Sequence, residues 1–412
     1  MIENFTKMVG NSLNLEAPWC IEGARFDEDE LVVHIHVGID KDAQIACPAC
    51  GGSTTRYGYE PEERIWRHSD CFFFPCYVHC HRPRVQCDKC GVKQVNAPFE
   101  RKNSRFTLMF EGYAMLILAD MPISKTAKLL RCNEKSLVSI MRYWVNKAVE
   151  STGLSDITTL AIDETSFKRG HKYVTLVIDA AKRRVIDVEE GRDMETIRRF
   201  CGKLSAKGGD PDNISSVTSD MSSVYLPAIE QYFPNAETVI DKFHVKKVLI
   251  DAMEKVRKEE QRDVRDKIHL FRGRRLFMIP KAKQTKEQAW KISEMAKRYP
   301  ETGRACRIVA ALDDFYASQT LEEAQSEFEG LYSWMRRCRL EPMKRAADTL
   351  IEFRNKILAY FTNRATNAIC EGLNSMIQAA KRKARGYQTF EGFACMIYLI
   401  VGKLNLAVPK PF

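Results

Sequence analysis

Two kinds of residue in this 412-residue chain are spaced so that they can do chemistry: acids and thiols. The stretch LAIDETSF, Leu160 to Phe167, alternates apolar and small residues and runs into the pair Asp163-Glu164. A polar turn, Lys168-Arg169-Gly170, and a second apolar run, YVTLVIDA, follow it. The pattern reads as a buried strand ending in an acid, then a hairpin to a partner strand. An acid there is costly unless it is paired or holds a cation. NISSVTSD ends likewise on Asp220, and the short run from Glu237 to Ile240 leads into Asp241. Near the C-terminus Glu371, Asn374, Gln378 and Lys381 recur three or four apart, so they share one helix face. Most glutamates on helices are merely solvated. This one lies a turn from Asn374 and ahead of the basic cluster Lys381, Arg382, Lys383 and Arg385, an arrangement suited to a groove that holds both metal and phosphate.

The thiols form two CxxC pairs, CPAC (Cys47, Cys50) and CDKC (Cys87, Cys90), each followed by glycine, Gly51 and Gly91. A thiolate pair separated by two residues supplies two corners of a tetrahedral zinc site, and a second pair closes it. The glycines suit the tight turns of such knuckles. The loop between the pairs is longer than a compact ribbon needs, which predicts inserted strands. Cys71, Cys76, His79, Cys80 and His81 lie inside that loop and are candidates for a second site. The competing reading is ordinary burial, since the loop is rich in aromatics and buried Cys is common. His34 and His36, on one face of the predicted strand Leu31 to Ile39, read as residues of a half-exposed strand rather than as metal ligands.

These sites need scaffolds. The length permits two to four domains. The net charge of +10, from 64 Lys+Arg against 54 Asp+Glu, suits a nucleic acid or another anionic partner without demanding one. The first residues have no basic segment running into an apolar one, so no secretory signal is expected. The longest apolar run, Phe393 to Val401, is too short to span a bilayer. Soluble, intracellular, reduced thiols follow as the expectation, with clustered Cys serving metal rather than disulfides.

Arg101 to Glu150 reads as three helices: Phe106 to Ala119, Ile123 to Leu130 after Pro122, and Glu134 to Val149 with Leu137, Ile140, Met141, Trp144, Val145 and Ala148 on one face. A short helix, a tight turn and a longer helix match a helix-turn-helix, and would place Lys135, Ser136 and Ser139 near the start of the recognition helix. A small linking bundle is the alternative. From Thr158 three strands (Thr159 to Glu164, Tyr173 to Asp179, Arg184 to Glu189) suit an antiparallel meander. A helix capped by Asp193 follows, burying Met194, Ile197, Phe200, Cys201 and Leu204, then strand, helix and strand. That order is the order of a ribonuclease H-like α/β fold, in which Asp163 and Asp220 end neighbouring strands. Lys242 to about Asn355 is charged and helical, a helical insertion in which Trp290 and Trp334 read as core. A last helix, capped by Thr366, buries Ile369, Leu373, Met376, Ile377 and Ala380.

Taken together, CPAC…WRH…CDKC with Trp66 to His68 in the middle, the helix-turn-helix, IDETSF, VTSDMSSVY, DKFHV and TNAICEGLNSMIQAAKR with GY and F after it resemble bacterial insertion-sequence transposases of the ISL-three family, of the DDE class, over nearly the whole length. The resemblance implies a multidomain α+β protein. Its parts would be a zinc-binding DNA-recognition module (1–100), a helix-turn-helix (101–152), and a ribonuclease H-like catalytic domain (153–250 and 356–412) interrupted by an all-α insertion (251–355). It implies Asp163, Asp220 and Glu371 as catalytic, Mg²⁺-binding acids, and Asp241 and His244 as supporting residues. Lys135, Ser136, Ser139, Lys381, Arg382, Lys383 and Arg385 would face DNA. Cys47, Cys50, Cys87 and Cys90 would hold one structural Zn²⁺.

The chemistry implied is binding of the element's terminal inverted repeats, strand cleavage and strand transfer. Two Mg²⁺ ions about 3.5–4 Å apart, with Mn²⁺ able to substitute, serve an in-line displacement at phosphorus. The partners would be double-stranded DNA and a second or further copies of the chain, with no membrane, in a bacterial cytoplasm at the nucleoid. Two other readings stay open: a zinc and helix-turn-helix DNA-binding regulator on a non-catalytic platform, and a structure-specific nuclease of the same fold. Glu164 reads as facing away from Asp163, since neighbours on a strand point to opposite faces. Asp179 and Asp187 read as ordinary strand acids, and His171 and His269 carry no assigned role.

Overall fold

A computed structural model describes residues 2–168, 172–263, 267–279, 283–363 and 368–408. The chain divides into two compact units: Met1–Ser151 with Arg382–Arg385 and Leu404–Phe412, and Thr152–Lys381 with Gly386–Lys403.

The first unit begins with α1 (Ile2–Ser12), β1 (Trp19–Asp27), β2 (Val32–Ile39), β3 (Ile45–Ala46) and β4 (Ser53–Tyr59). It continues with β5 (Arg64–Cys71), β6 (Phe74–Cys80), β7 (Pro83–Cys87) and β8 (Gly91–Gln94), then α2 (Leu108–Asp120), α3 (Ile123–Leu129) and α4 (Glu134–Ser151). The strands make two four-stranded sheets, β1-β2-β6-β5 and β3-β4-β7-β8. Both CxxC pairs belong to the second sheet's strands and turns, and the hairpin β5-β6 is the insertion between them. Alternation explains its burial: Trp66, Cys76, Val78 and Cys80 join Ile35, Val37 and Phe99 in one core. Trp66 of the WRH run is 2% exposed and packs edge-on to Phe99, so that residue is packing.

Helix α4 buries Leu137, Ile140, Met141, Trp144, Val145 and Ala148, the six residues its periodicity predicts. The turn before it is closed by Arg131 in the left-handed region (φ 51°) and by the Asn133 side chain, which accepts from the Lys135 amide at 2.8 Å. A buried knot fixes α2 to α4: Glu111, 0% exposed, accepts from Arg101, Ser104 Oγ at 2.6 Å and Trp144 Nε1 at 2.7 Å.

The second unit carries β9 (Thr159–Lys168), β10 (Lys172–Asp179), β11 (Arg184–Glu190), α5 (Met194–Ala206), β12 (Ser216–Ser219), α6 (Tyr225–Tyr232) and β13 (Glu237–Ile240). Among the described residues seven α-helices follow, α7 (Lys242–Asp263), α8 (Lys267–Gly273), α9 (Lys286–Arg298), α10 (Pro300–Ala317), α11 (Leu321–Arg337), α12 (Glu341–Glu352) and α13 (Arg354–Asn363). The unit closes with α14 (Ala368–Lys383) and α15 (Phe390–Val401). The sheet order is β11-β10-β9-β12-β13, antiparallel from β11 to β9 and parallel from β9 to β13. Strand alternation splits its faces. Leu160, Ile162 and Val177 pack with Ile197, Phe200 and Leu204 of α5 and Ile229 of α6. Ala161, Phe167, Val174, Leu176 and Ile178 pack with Ile377 of α14 and Phe393 and Ile397 of α15. Each such large apolar side chain, fully buried, contributes about 1.5–3 kcal/mol. Helices α7 to α13 share a core of their own with Val239 and Ile240.

Several expectations need correcting. Strand β9 runs on past Asp163 to Lys168, because β10 pairs with it along that whole length. Trp290 and Trp334 are 64% and 37% exposed, so neither is core. Met194, in the first turn of α5, and Met376 on α14 are also exposed, while Ile197, Phe200, Leu204 and Ile377 are buried as their spacing predicts. Thioethers at the rim of an apolar stripe stay partly in water at little cost. The Asp193 cap is observed, with a full capping box to Thr196. Thr366 and His171 lie outside the described residues. His269 has a partner, Tyr299 Oη at 3.1 Å from Nδ1.

Candidate active site and metal centre

Strand register brings three acids into one row. β12 pairs with β9 as Thr218↔Ala161 and with β13 as Ser219↔Ile240. Continuing both registers sets Asp220 level with Asp163 on one side and with Asp241 on the other. Parallel pairing stops there, so the row lies where the ladder opens, as functional groups do in open α/β sheets.

Each acid is locally held. Asp163 accepts from the Glu164 amide at 2.7 Å, Asp220 from the Ser222 amide at 3.1 Å and Asp241 from the Phe243 amide at 3.1 Å. His244, on the first turn of α7, sets Nε2 3.9 Å from Asp241 Oδ2. Burial pushes the Asp163 carboxyl up to about 6; the Glu164 amide and His244 pull it down, and the neighbouring Asp241 and Asp220 push it further up.

Helix α14 lies along β9 and is tied to it rung by rung. Asn374 Nδ2 donates to Asp163 Oδ2 at 2.6 Å, Gln378 Nε2 to Thr165 Oγ1 at 2.6 Å, and Lys381 Nζ to Ser166 Oγ at 2.9 Å. The four-residue step from Asn374 to Gln378 matches the two-residue step from Asp163 to Thr165 on one strand face, and the long Lys381 side chain reaches the next residue, Ser166, where the register with β10 shifts. Glu371 sits one turn before Asn374 on the same helix and is exposed. Lys381 is thus half-buried and engaged with Ser166, whereas Arg382, Lys383 and Arg385 are exposed. Lys135 and Ser139 at the start of α4 are exposed and Ser136 is half-buried. Glu164 turns to the other face: its carboxyl is raised by burial, stands near Tyr225, and lies 3.9 Å from Arg192. Asp179 and Asp187 are buried ion-pair partners of Arg184 (3.1 Å) and Lys203 (3.0 Å).

The oxygen donors of the row suit a hard divalent cation. Asn374 Oδ1, beside Asp163, is buried and has no hydrogen-bond partner among the described residues, so it could face a cation held by the row. Asp163, Asp220 and Glu371 do not bring their oxygens within 4.8 Å of one another as a group. The sequence places Asn374 on the right face; its bond to Asp163 emerges only from the packing of α14 on β9.

The four CxxC sulfurs do converge. Cys47, Cys50, Cys87 and Cys90 lie with all four Sγ atoms within 4.8 Å, and Cys50 and Cys87 are 3.6 Å apart. Tetrahedral bonds of about 2.3 Å put sulfurs roughly 3.8 Å apart. Gly51 and Gly91 both take φ near +70°, as the knuckles require, and the Gly51 amide donates to Cys47 O at 2.9 Å. Amides of Ala49 and Cys50 draw the Cys47 thiol down to about 7, while neighbouring sulfurs, Cys50 first, push Cys90 up to about 12. Four thiolates so close need a cation, and the set fits one structural Zn²⁺. Cys71, Cys76, Cys80 and His81 join no such group among the described residues. Burial pushes the Cys76 and Cys80 thiols up to about 12, which suits packing rather than ligation.

Three family models match consecutive parts of the chain: a zinc-finger of transposases IS204/IS1001/IS1096/IS1165 over residues 43–90, the helix-turn-helix domain of transposase family ISL3 over 95–145, and an ISL3 model described as transposase over 160–397. The last spans more than half of the sequence. The chain belongs to the ISL3 transposase family. Among its relatives is the transposase for insertion sequence element IS1001 of Bordetella parapertussis, 24% identical over 353 residues that cover 84% of this chain and 86% of the relative. Another is the transposase for IS1557 of Mycobacterium tuberculosis (strain CDC 1551 / Oshkosh), 23% identical over 392 residues, 88% and 87% of the two chains. The protein is therefore a DDE transposase with zinc-binding and helix-turn-helix parts, a multidomain α+β enzyme that binds DNA and, by its class, uses divalent metal. Among the described residues no helix is long and apolar enough to cross a membrane.

Proposed function

We propose that this transposase binds the terminal inverted repeats of its element and cuts and joins strands with Asp163, Asp220 and Glu371 as its catalytic acids. One observation carries the assignment: Asp163, Asp220 and Asp241 share a row at the open end of the parallel ladder, and α14, the helix of Glu371, is bonded to Asp163 through Asn374. Bound Mg²⁺, or Mn²⁺ in its place, supplies a Lewis acid that activates the attacking oxygen and stabilises the leaving one. Asp163 and Asp220 would hold it from the sheet and Glu371 from the helix. Asp241 and His244 support the row, with His244 Nε2 3.9 Å from Asp241 Oδ2. Asn374 fixes Oδ2 of Asp163 and the Glu164 amide fixes Oδ1, so the carboxylate is held in one orientation. No side chain need act as nucleophile, because water or a DNA 3′-hydroxyl supplies that oxygen.

In this reading 153–250 and 356–412 form a ribonuclease H-like catalytic domain, and the helices of 251–355 are an all-α insertion. Residues 1–100 and 101–152 form the zinc module and the helix-turn-helix. Lys135, Ser136 and Ser139 read the repeat in the major groove, and Arg382, Lys383 and Arg385, with Lys381 more enclosed, meet phosphate. The protein would work as a dimer or larger assembly on DNA, in the bacterial cytoplasm at the nucleoid.

The test incubates the protein and Mg²⁺ with DNA carrying the element's ends, beside Asp163→Ala and Glu371→Ala. End-specific nicks and joined products that both substitutions abolish are expected. Tight binding without any cleavage would favour a regulator, and cleavage without joining a nuclease.

A further inference from the structure

Besides the four cysteines, one other group of ligand side chains converges among the described residues: His36, Glu63 and His79. Three separate segments build it. His36 on β2 and His79 on β6 are partners in parallel register, so their rings lie side by side, centroids 4.8 Å apart and stacked at 27°. Glu63 stands just before β5, which pairs with the other edge of β6 as Ile65↔His79. Its carboxylate reaches both rings: Oε2 is 2.9 Å from His79 Nδ1 and Oε1 is 3.7 Å from His36 Nδ1.

Metal bonds of about 2.0–2.2 Å to nitrogen and oxygen in tetrahedral geometry set neighbouring ligand atoms roughly 3.3–3.5 Å apart. The two observed separations bracket that span, so an ion needs only small side-chain shifts. The outer shell is also in place. His79 Nε2 lies 2.8 Å from His34 Nδ1. With metal on Nδ1 of His79, its Nε2–H donates to His34, which fixes the tautomer and orients the ring as second partners of ligating histidines do. Exposure is graded across the group: the His79 side chain is 10% exposed, against 43% for His36 and 35% for Glu63. Three ligands thus come from the protein, and the solvent side is left for water as the fourth. Two imidazoles and a carboxylate form a donor set for borderline ions, zinc foremost, with Co²⁺, Ni²⁺ and Cu²⁺ as chemical relatives.

We propose that His36, Glu63 and His79 form a second transition-metal site, occupied by Zn²⁺, that pins the inserted β5-β6 hairpin to β2. It is independent of the cysteine site, which lies on the other sheet of the same unit.

The full chain would be purified without chelator and its metal measured by elemental analysis, beside Glu63→Gln, His36→Asn and Cys50→Ser. His36 and Glu63 are partly exposed, so their variants should keep the fold, which circular dichroism checks. About two zinc ions per chain are expected in the unsubstituted protein, one for each site. The count should fall by half in each of the three variants. Reloading with Co²⁺ separates the sites: thiolate charge-transfer absorption should survive in Glu63→Gln and His36→Asn and be lost in Cys50→Ser, which keeps only weak ligand-field bands. A single zinc per chain that is insensitive to Glu63→Gln and His36→Asn overturns the proposal, as does Cys50→Ser protein that holds neither ion.

Discussion

Replacing Asp163 by Asn should make the metal-free transposase more stable while ending its activity. Burial first, and then Asp241 and Asp220, hold the Asp163 carboxyl at about 6 against an ordinary 3.8. A folded value above the unfolded one means that the native state favours the protonated acid. No penalty exists well below pH 4; it grows as pH rises from about 4 to about 6 and is constant above. A shift of about two units corresponds to about 3 kcal/mol, an upper figure because local relaxation and water entry lower it. Asn keeps the shape and carries no charge; its oxygen can still accept from the Glu164 amide while its NH2 donates to Asn374 Oδ1 once the Asn374 amide turns over. Urea unfolding with chelator present, followed on the full chain across this range, should show the variant gaining about 1–3 kcal/mol at neutral pH and nothing near pH 4. Saturating Mg²⁺ should then reverse the order: at about a hundredfold over its dissociation constant a ligand adds about 2.7 kcal/mol to the unsubstituted protein, and little to the variant. A variant that is less stable than its parent in chelator at neutral pH, or that Mg²⁺ stabilises equally, would falsify the assignment of Asp163 as a buried metal ligand.

The other expectations concern both units. Asn374→Ala should slow end cleavage by roughly 10–100-fold, the usual effect of losing a residue that orients a ligand, with zinc content unchanged; full activity would remove Asn374 from the site. Cys47→Ser or Cys90→Ser should lose the zinc of the cysteine site and end recognition in a binding assay, while the second unit keeps its own unfolding transition; zinc-free unsubstituted protein refutes this. Glu111→Ala strands Arg101 and the Trp144 indole inside the first unit and should cost about 3–5 kcal/mol by denaturant unfolding; a loss under about 1 kcal/mol would mean that the knot is not structural. His68, bonded to Thr107 Oγ1 at 2.8 Å, has its imidazole pushed down to about 4 by burial. With the folded value below the unfolded 6.5, the first unit should lose about 3 kcal/mol as pH falls from about 6.5 to about 4, and His68→Gln should flatten that slope.

Local pattern carried a large part of this protein. Strand alternation and helix periodicity marked β9 to β13, the Asp193 cap and the six buried residues of α4, because those signals depend on neighbours two to four positions away. The paired CxxC knuckles with Gly51 and Gly91 were legible for the same reason: a zinc knuckle is a local object. Local pattern misjudged the extent of β9 and the exposure of Trp290 and Trp334, since a strand's end and a helix's buried side are set by whatever packs against them. Element order already placed Asp163 and Asp220 at the ends of neighbouring strands; only the tertiary structure set Asp241 level with them, bonded Asn374 to Asp163 and brought Glu63 against His36 and His79. Each of these meetings depends on sheet register or on the seating of a distant helix, and no spacing along the chain encodes either. Residue types and local spacing determined which chemistry this chain has available; long-range pairing decided which of those residues meet.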